Sequence, residues 1–298
     1  MASKREQYLA NAVYDKDEQP VSTLIDAHTH IGQVRQYDLG VTPERMIEYM
    51  DSHGIDKAVL FPLESPEGSA YLITTREVLA AASRFPDRFI PFCSIDPRSH
   101  PYYDESRFED AIAEYVDLGA RGFGELKCGL PVDDERMQTL YRICGEQDLP
   151  ILMHIDDQCC TDEPGLPGLE RMVQQYPETN FILHAPGWWV HISADVEAGD
   201  LGRYPKDPVV RGGRCDELLS EYDNLYADFS MGSGFNALTR DEAYGQEFLS
   251  RHHESLIFGS DYLYPGQPVM QFGFFAEFDL STDQWENICH RNIESLLL

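Results

Sequence analysis

Eight short apolar runs, recurring at a nearly constant interval, constrain this chain more than any other feature. They are Leu24–His28, Lys57–Phe61, Phe89–Ile95, Gly122–Lys127, Ile151–His154, Phe181–His184, Leu225–Asp228 and Leu256–Asp261. Their first residues lie about 30 apart, except for a step of about 44 between the sixth and seventh. Each run has strand length and is followed by a stretch with helical character, the first being Thr42–His53 and the last Thr282–Leu298. Thr42-Pro43-Glu44 offers an N-cap followed by proline at the first helical position, and Ser281 or Thr282 offers another cap. Eight alternations of strand and helix predict a (β/α)8 TIM barrel of the α/β class. A doubly wound open sheet is the other arrangement such a pattern permits, and the even count of units favours closure. No linker-like stretch divides the chain, so residues 24–298 read as a single barrel domain and 1–23 as an N-terminal extension.

The polar residues of these runs gather at their ends. Residues two apart on a strand share a face, so His28 and His30 in Leu24-Ile25-Asp26-Ala27-His28-Thr29-His30 project side by side. Two neutral imidazoles held in this way supply half of a divalent-metal site. The fourth run carries Glu125 and Lys127 on one face, the fifth ends in His154, the sixth in His184 and the eighth in Asp261. In a barrel, strand ends at the C-terminal face are where the chemistry sits. A single histidine there is commonly just a hydrogen-bonded residue; four histidines and an aspartate on one rim call for a shared purpose.

Composition narrows the partners. Acidic residues outnumber basic ones 52 to 23, a formal net charge of −29, and such a surface repels nucleic acid and anionic membranes. The acids are spread over the helices instead of forming a tail, a pattern similar to that of proteins from salt-accumulating microbes, where salt screens self-repulsion. No apolar run is long enough to span a bilayer, and the N-terminal stretch lacks the apolar core of a signal peptide. The seven cysteines are odd in number and irregularly spaced. They read as reduced thiols of a cytoplasmic protein.

Taken together, Asp26–His30 (DAHTH), Met153-His154, Ile182–Gly187 (ILHAPG) and Phe258–Tyr262 (FGSDY) resemble the amidohydrolase superfamily, and within it the amidohydrolase family 2 branch. Asn292 in the closing RNIESLLL is similar to that branch's last-helix ending. The branch includes aminocarboxymuconate-semialdehyde decarboxylase, resorcylate-type decarboxylases, a pyrone-dicarboxylate lactonase and an oxalomesaconate hydratase. The likeness covers essentially residues 24–298. It implies that His28, His30, His154 and Asp261 bind a divalent metal, with zinc expected and manganese or iron as alternatives. It also implies catalytic parts for Asp261, as a base toward water, and for His184, as a polarising or proton-shuttling group. Glu125 departs from the single-metal pattern. It either bridges to a second ion, or pairs with Lys127 or a ligand histidine, so one ion or two can be accommodated.

Lys127 and Arg98 could grip a substrate carboxylate, and Trp188 and Trp189 could wall the substrate pocket. His53, His100, His252, His253 and His290 read as solvated, and Cys159-Cys160 lack any triad-like partner. The expected activity is a metal-dependent hydrolase that uses activated water on a small-molecule amide, lactone or ester carbonyl. Non-oxidative decarboxylation of a small carboxylated substrate is the alternative, because both reactions use the same ligands. A non-catalytic binding protein on the same barrel would have no need of the whole polar set. The sequence leaves the oligomeric state open, a homo-oligomer included.

Overall fold

The computed structural model describes residues 19–33, 40–68, 72–99 and 105–297. Most of the expected N-terminal extension, together with Tyr71, His100 and Leu298, lies outside the described residues. The strands are β1 (Ile25–Thr29), β2 (Lys57–Leu60), β3 (Phe89–Pro91), β4 (Phe123–Leu126), β5 (Ile151–His154), β6 (Phe181–His184), β7 (Leu225–Asp228) and β8 (Leu256–Ile257). They pair in parallel and in chain order, β1 to β3 and β4 to β8. Two seams close the ring. Cys93 N–H donates to Gly122 O (2.9 Å) between β3 and β4, and His30 N–H donates to Tyr262 O (3.0 Å) between β8 and β1. The chain is therefore a closed (β/α)8 barrel, and the open-sheet arrangement is set aside.

Helices α1 (Pro43–His53), α2 (Thr75–Arg84), α3 (Glu105–Asp117), α4 (Glu135–Glu146) and α5 (Pro167–Gln175) follow the first five strands. After β6 come α6 (Pro186–Trp189) and α7 (Arg214–Glu221), and after β7 come α8 (Met231–Thr239) and α9 (Glu242–His252). The chain ends with α10 (Phe274–Glu277), α11 (Thr282–Glu286), a π turn (Asn287–Arg291) and α12 (Asn292–Leu296). Local chemistry sets several starts. Thr42 caps α1 by accepting from Arg45 N–H, with Pro43 at the first helical position. Ser281, rather than Thr282, caps α11 in a reciprocal box with Gln284.

One helix was not legible as such. Helix α8 lies in Met231-Gly232-Ser233-Gly234, whose glycines argue against a helix on propensity. Gly234 is required there, because a Cβ would sit 2.2 Å from Phe229 O. Helix α9 begins at Glu242, behind the cap Asp241.

Two apolar clusters divide the interior. The larger lies between strands and helices and holds Phe123, Met153, Leu183 and Ala227. The smaller fills the barrel itself, where Val59, Leu152, Ile182 and Ile257 meet Ile25 and Ala27. Ile293 and Leu296 of α12 pack on that inner cluster, and Asn292 donates to Leu256 O (2.7 Å) at the start of β8. The N-terminal end of the barrel is thus plugged with apolar side chains, leaving the other end for polar ones.

Candidate metal centre

Strict alternation along β1 would send His28 to the same side as Asp26, away from Ile25 and Ala27. Asp26 does face outward, accepting from Tyr49 Oη of α1 (3.1 Å) and from Ser260 Oγ (2.6 Å). Burial pushes Asp26 up to about 6 against the pull of those hydrogen bonds. The pairing register slips between Asp26 and Thr29, and this irregularity lets His28 join His30 at the barrel mouth. Their Nε2 atoms are 3.2 Å apart.

Two carboxylates flank that pair at matching distances. Asp261 Oδ1 is 3.8 Å from His28 Nε2 and 3.4 Å from His30 Nε2. Glu125 Oε2 is likewise 3.8 Å and 3.4 Å from the same two atoms. Donors around a tetrahedral ion with bonds of about 2.0–2.2 Å stand roughly 3.3–3.6 Å from one another. Donor atoms of His28, His30 and Asp261 lie within 4.8 Å of one another, as do those of His28, Glu125 and His184. Asp261 reaches its place with φ +52°, a backbone region that aspartate enters more readily than most residues.

The far nitrogens of three rings are held so that Nε2 faces this point. His30 Nδ1 donates to Phe61 O (3.0 Å). His28 Nδ1 donates to Asp228 Oδ2 (2.5 Å), and His184 Nδ1 donates to Ser230 Oγ (3.0 Å), which itself donates to Asp228 Oδ2 (2.9 Å). A carboxylate only accepts, so Asp228 fixes the His28 proton on Nδ1 directly and that of His184 through Ser230. Asp228 closes β7, and Gly259 gives it room, since a Cβ there would lie 2.7 Å from Asp228 Oδ1 and 2.9 Å from His28 Cβ. The rule that located the other rim residues, a polar group ending a strand, also marks Asp228, although it was not assigned to the site.

His154 differs from the other rim histidines. Its Nδ1 is 2.7 Å from Glu125 Oε1 and its Nε2 is 3.0 Å from Asp156 Oδ2. Asp156 also accepts from the backbone N–H groups of Gln158 and Cys159. These bonds and His154 hold it at about 2, against burial.

Carboxylates and imidazoles shift one another here. Burial disfavours ionisation of Glu125, but Lys127 and the neighbouring histidines hold it well below the usual carboxylate range. Asp228 and Asp261 are also lowered, against burial, by the adjacent imidazoles. Burial alone would depress His28, yet Asp261 and Asp228 raise it well above its ordinary value, and Asp261 and Glu125 raise His30. His184 is lowered by burial, with nearby His28 adding to the effect. Three ionised carboxylates buried around converging imidazole nitrogens fit a cation, because buried charges persist when paired or metal-coordinating.

Above the donors lies a cavity of about 160 Å³ whose lining includes Lys127, Pro186, Tyr204, Met231 and Leu263. Trp188 and Trp189, expected at its wall, are not among the lining residues. Both belong to α6 and are fully buried, Trp189 Nε1 donating to Asp228 O (2.8 Å) while its ring meets Phe248 of α9. Tyr204, from the long β6–β7 segment, takes the place foreseen for them. Arg98 is engaged by both Asp96 and Glu67 (2.6 Å each), so it ties loops together instead of gripping substrate. His252 is buried against Asp216 (2.6 Å) and not solvated. Burial pushes the Cys159 thiol up to about 12, which removes it as a thiolate nucleophile.

A closed barrel whose C-terminal rim brings histidines and carboxylates together presents a candidate cation site. The chain belongs to the amidohydrolase family, whose sequence profile matches residues 25–297. Among solved structures it is similar to an uncharacterised TIM-barrel protein from Bordetella bronchiseptica, at 18% identity and TM-score 0.65, covering 92% of this chain and 98% of that one. It is also similar to a probable 2-pyrone-4,6-dicarboxylic acid hydrolase from Acinetobacter baumannii with citric acid bound, at 14% identity and TM-score 0.59, covering 92% and 99%. A 2,6-dihydroxybenzoate decarboxylase from Rhizobium matches at 14% identity and TM-score 0.55, covering 92% and 98%. At such identities these likenesses speak to the fold. A comparison with curated proteins gives no significant match. No helix among the described residues is long and apolar enough to cross a membrane.

Proposed function

We propose that the chain is a metal-dependent hydrolase acting on an amide, lactone or ester carbonyl of a small molecule. The observation that carries this reading is the cluster of His28 Nε2, His30 Nε2 and Asp261 Oδ1 at 3.2 to 3.8 Å from one another. These three residues would hold the ion, zinc in this proposal. When bound, a divalent cation lowers the pKa of a coordinated water toward ~7 and polarises a carbonyl.

The protein's own groups supply the rest. Asp261 turns Oδ1 to the His28–His30 pair and Oδ2 to His184 Nε2, 3.8 Å away. Its second oxygen is placed to take a proton from the attacking water. As water adds to the carbonyl carbon and the bond to nitrogen or oxygen breaks, the proton passes to the leaving atom, with His184 beside it. Lys127 is the one lysine or arginine among the described residues lining the cavity, and it positions an anionic or polar substituent. A volume of about 160 Å³ is below the usual range of about 300–1,000 Å³ for ligand pockets and restricts the substrate to a small molecule.

The test is turnover of small lactones, esters and amides by the metal-loaded protein in ¹⁸O-labelled water. Label in the organic product supports hydrolysis. Release of carbon dioxide, with a solvent deuteron on carbon and no solvent oxygen in the product, replaces this reading with the decarboxylase one.

A further inference from the structure

We infer that the first turn of α8, with Ser233 and Tyr204, is a positioning site for an oxyanion carried by the substrate, a carboxylate or a phosphate. This inference deepens the proposed function and rests on it. Helix α8 follows β7 and starts at the cavity, which Met231, Gly232 and Ser233 help to line. The first N–H groups of a helix have no acceptor within it, and here no side chain caps them. Ser230, at the cap position, has its hydroxyl committed to Asp228 Oδ2 (2.9 Å) and His184 Nδ1 (3.0 Å) instead. This nine-residue helix therefore turns uncapped amides and the positive end of its dipole to the cavity, an arrangement that favours an anion.

A buried hydroxyl points to the same ligand independently. Ser233 is 4% exposed and lines the cavity, yet its Oγ has no hydrogen-bond partner among the described residues. A buried hydroxyl left unpaired is costly, and an acceptor atom in the cavity would satisfy it. Tyr204 lies against the same turn, since a Cβ on Gly232 would come 3.3 Å from its Cε1 and 3.9 Å from its Oη. The chain beside Tyr204 is tied to α8 as well, with Asn236 Nδ2 donating to Pro205 O (3.0 Å). Lys127, just past β4, adds a cation to the lining. In a cavity of about 160 Å³ these groups face one small space. Glu125 and Asp261 line it too, but each turns an oxygen to His28 and His30 (3.8 and 3.4 Å), where the proposed ion would offset their charge. A substrate held by its oxyanion at α8 would extend from there toward that pair.

Isothermal titration calorimetry of the purified, metal-loaded full chain tests this, with acetate, inorganic phosphate and acetamide as probes. At least one of the two anions should bind, and the tighter one names the group. Acetamide, the neutral match of acetate, should bind at least about 10-fold more weakly than that anion. Ser233→Ala and Tyr204→Phe should each weaken the anion by about 10-fold or more, the loss expected when a hydrogen bond to a charged group goes. Alanine favours a helix more than serine does, so the first variant should fold. Metal content by elemental analysis should equal that of wild type in both. An anion affinity unchanged in either variant, acetamide binding as tightly as the anion, or no binding of either anion would overturn the inference while leaving the metal site intact. A wild-type chain that takes up no divalent ion would instead overturn the proposed function, a failure read from metal content alone.

Discussion

The carboxylate of Asp228 and the imidazole of His28 meet at 2.5 Å across 200 residues of chain. The same oxygen lies 3.3 Å from His184 Nδ1. One carboxylate thereby sets the orientation of two rings that face the centre, and both change together if it is removed.

Asp228→Asn tests this coupling. The amide can accept at one atom only and presents an N–H where the carboxylate had a second acceptor. Metal affinity should fall about 10- to 100-fold, the usual cost of losing an outer partner of a ligand histidine. Chelator competition measures it, and an affinity unchanged from wild type would contradict the role given to Asp228.

Asp261→Asn addresses proton transfer. It keeps the size of the side chain and one coordinating oxygen but cannot accept a proton. Turnover should drop by about 10²–10⁴-fold, the typical worth of general-base help, with much of the metal retained. Full activity in a metal-replete variant would remove Asp261 from the chemistry.

Withdrawal of the metal should lower stability. The wild type should melt at a higher temperature with metal than after chelation, by an amount that grows with free metal; at 100-fold over Kd the linkage gives about 2.7 kcal/mol. The double variant His28→Ala/His30→Ala loses two donors and should show no such shift. Equal metal content in wild type and double variant, by elemental analysis, would count against the site.

His191 provides a pH prediction away from the centre. It is buried, donates from Nδ1 to Gly187 O (2.7 Å) and accepts at Nε2 from Gly165 N–H (2.9 Å). A second proton would set N–H against N–H. Burial accordingly pushes His191 down to about 4 from 6.5. The unfolded chain takes up the proton near 6.5 and the folded one only near 4, so this contribution is present above about pH 6.5 and is lost as pH falls toward 4. Its size is about 3 kcal/mol at most, at 1.36 kcal/mol per unit. In His191→Asn, which keeps a donor toward Gly187 O, the pH slope of denaturant-derived stability in that window should be shallower than in wild type. Parallel slopes would sink the assignment.

Gly259 shows how site and backbone were fitted to each other. Within Phe258-Gly259-Ser260-Asp261 it is the residue with no side chain to strike Asp228 or His28, while Ser260 N–H donates to Asp26 Oδ1 (2.9 Å) and locks the eighth strand's end to the first. The motif was readable from sequence; the reason for its glycine was not, because the atoms it avoids belong to β1 and β7.

The sequence by itself determined the barrel and which residues reach its rim. Strand spacing, the apolar face of each run and the caps at Thr42 and Ser281 are local, set by neighbours a few residues away. Long-range packing set what each rim residue touches. The register slip in β1 turned His28 inward, and Asp156 and Glu125 claimed both nitrogens of His154. Trp188 and Trp189 went into the core while Tyr204 came to the cavity. These outcomes depend on which nitrogen meets which oxygen across tens to hundreds of residues. Hydrogen-bond direction at that range is fixed by packing, and a periodic pattern of apolar and polar residues does not encode it.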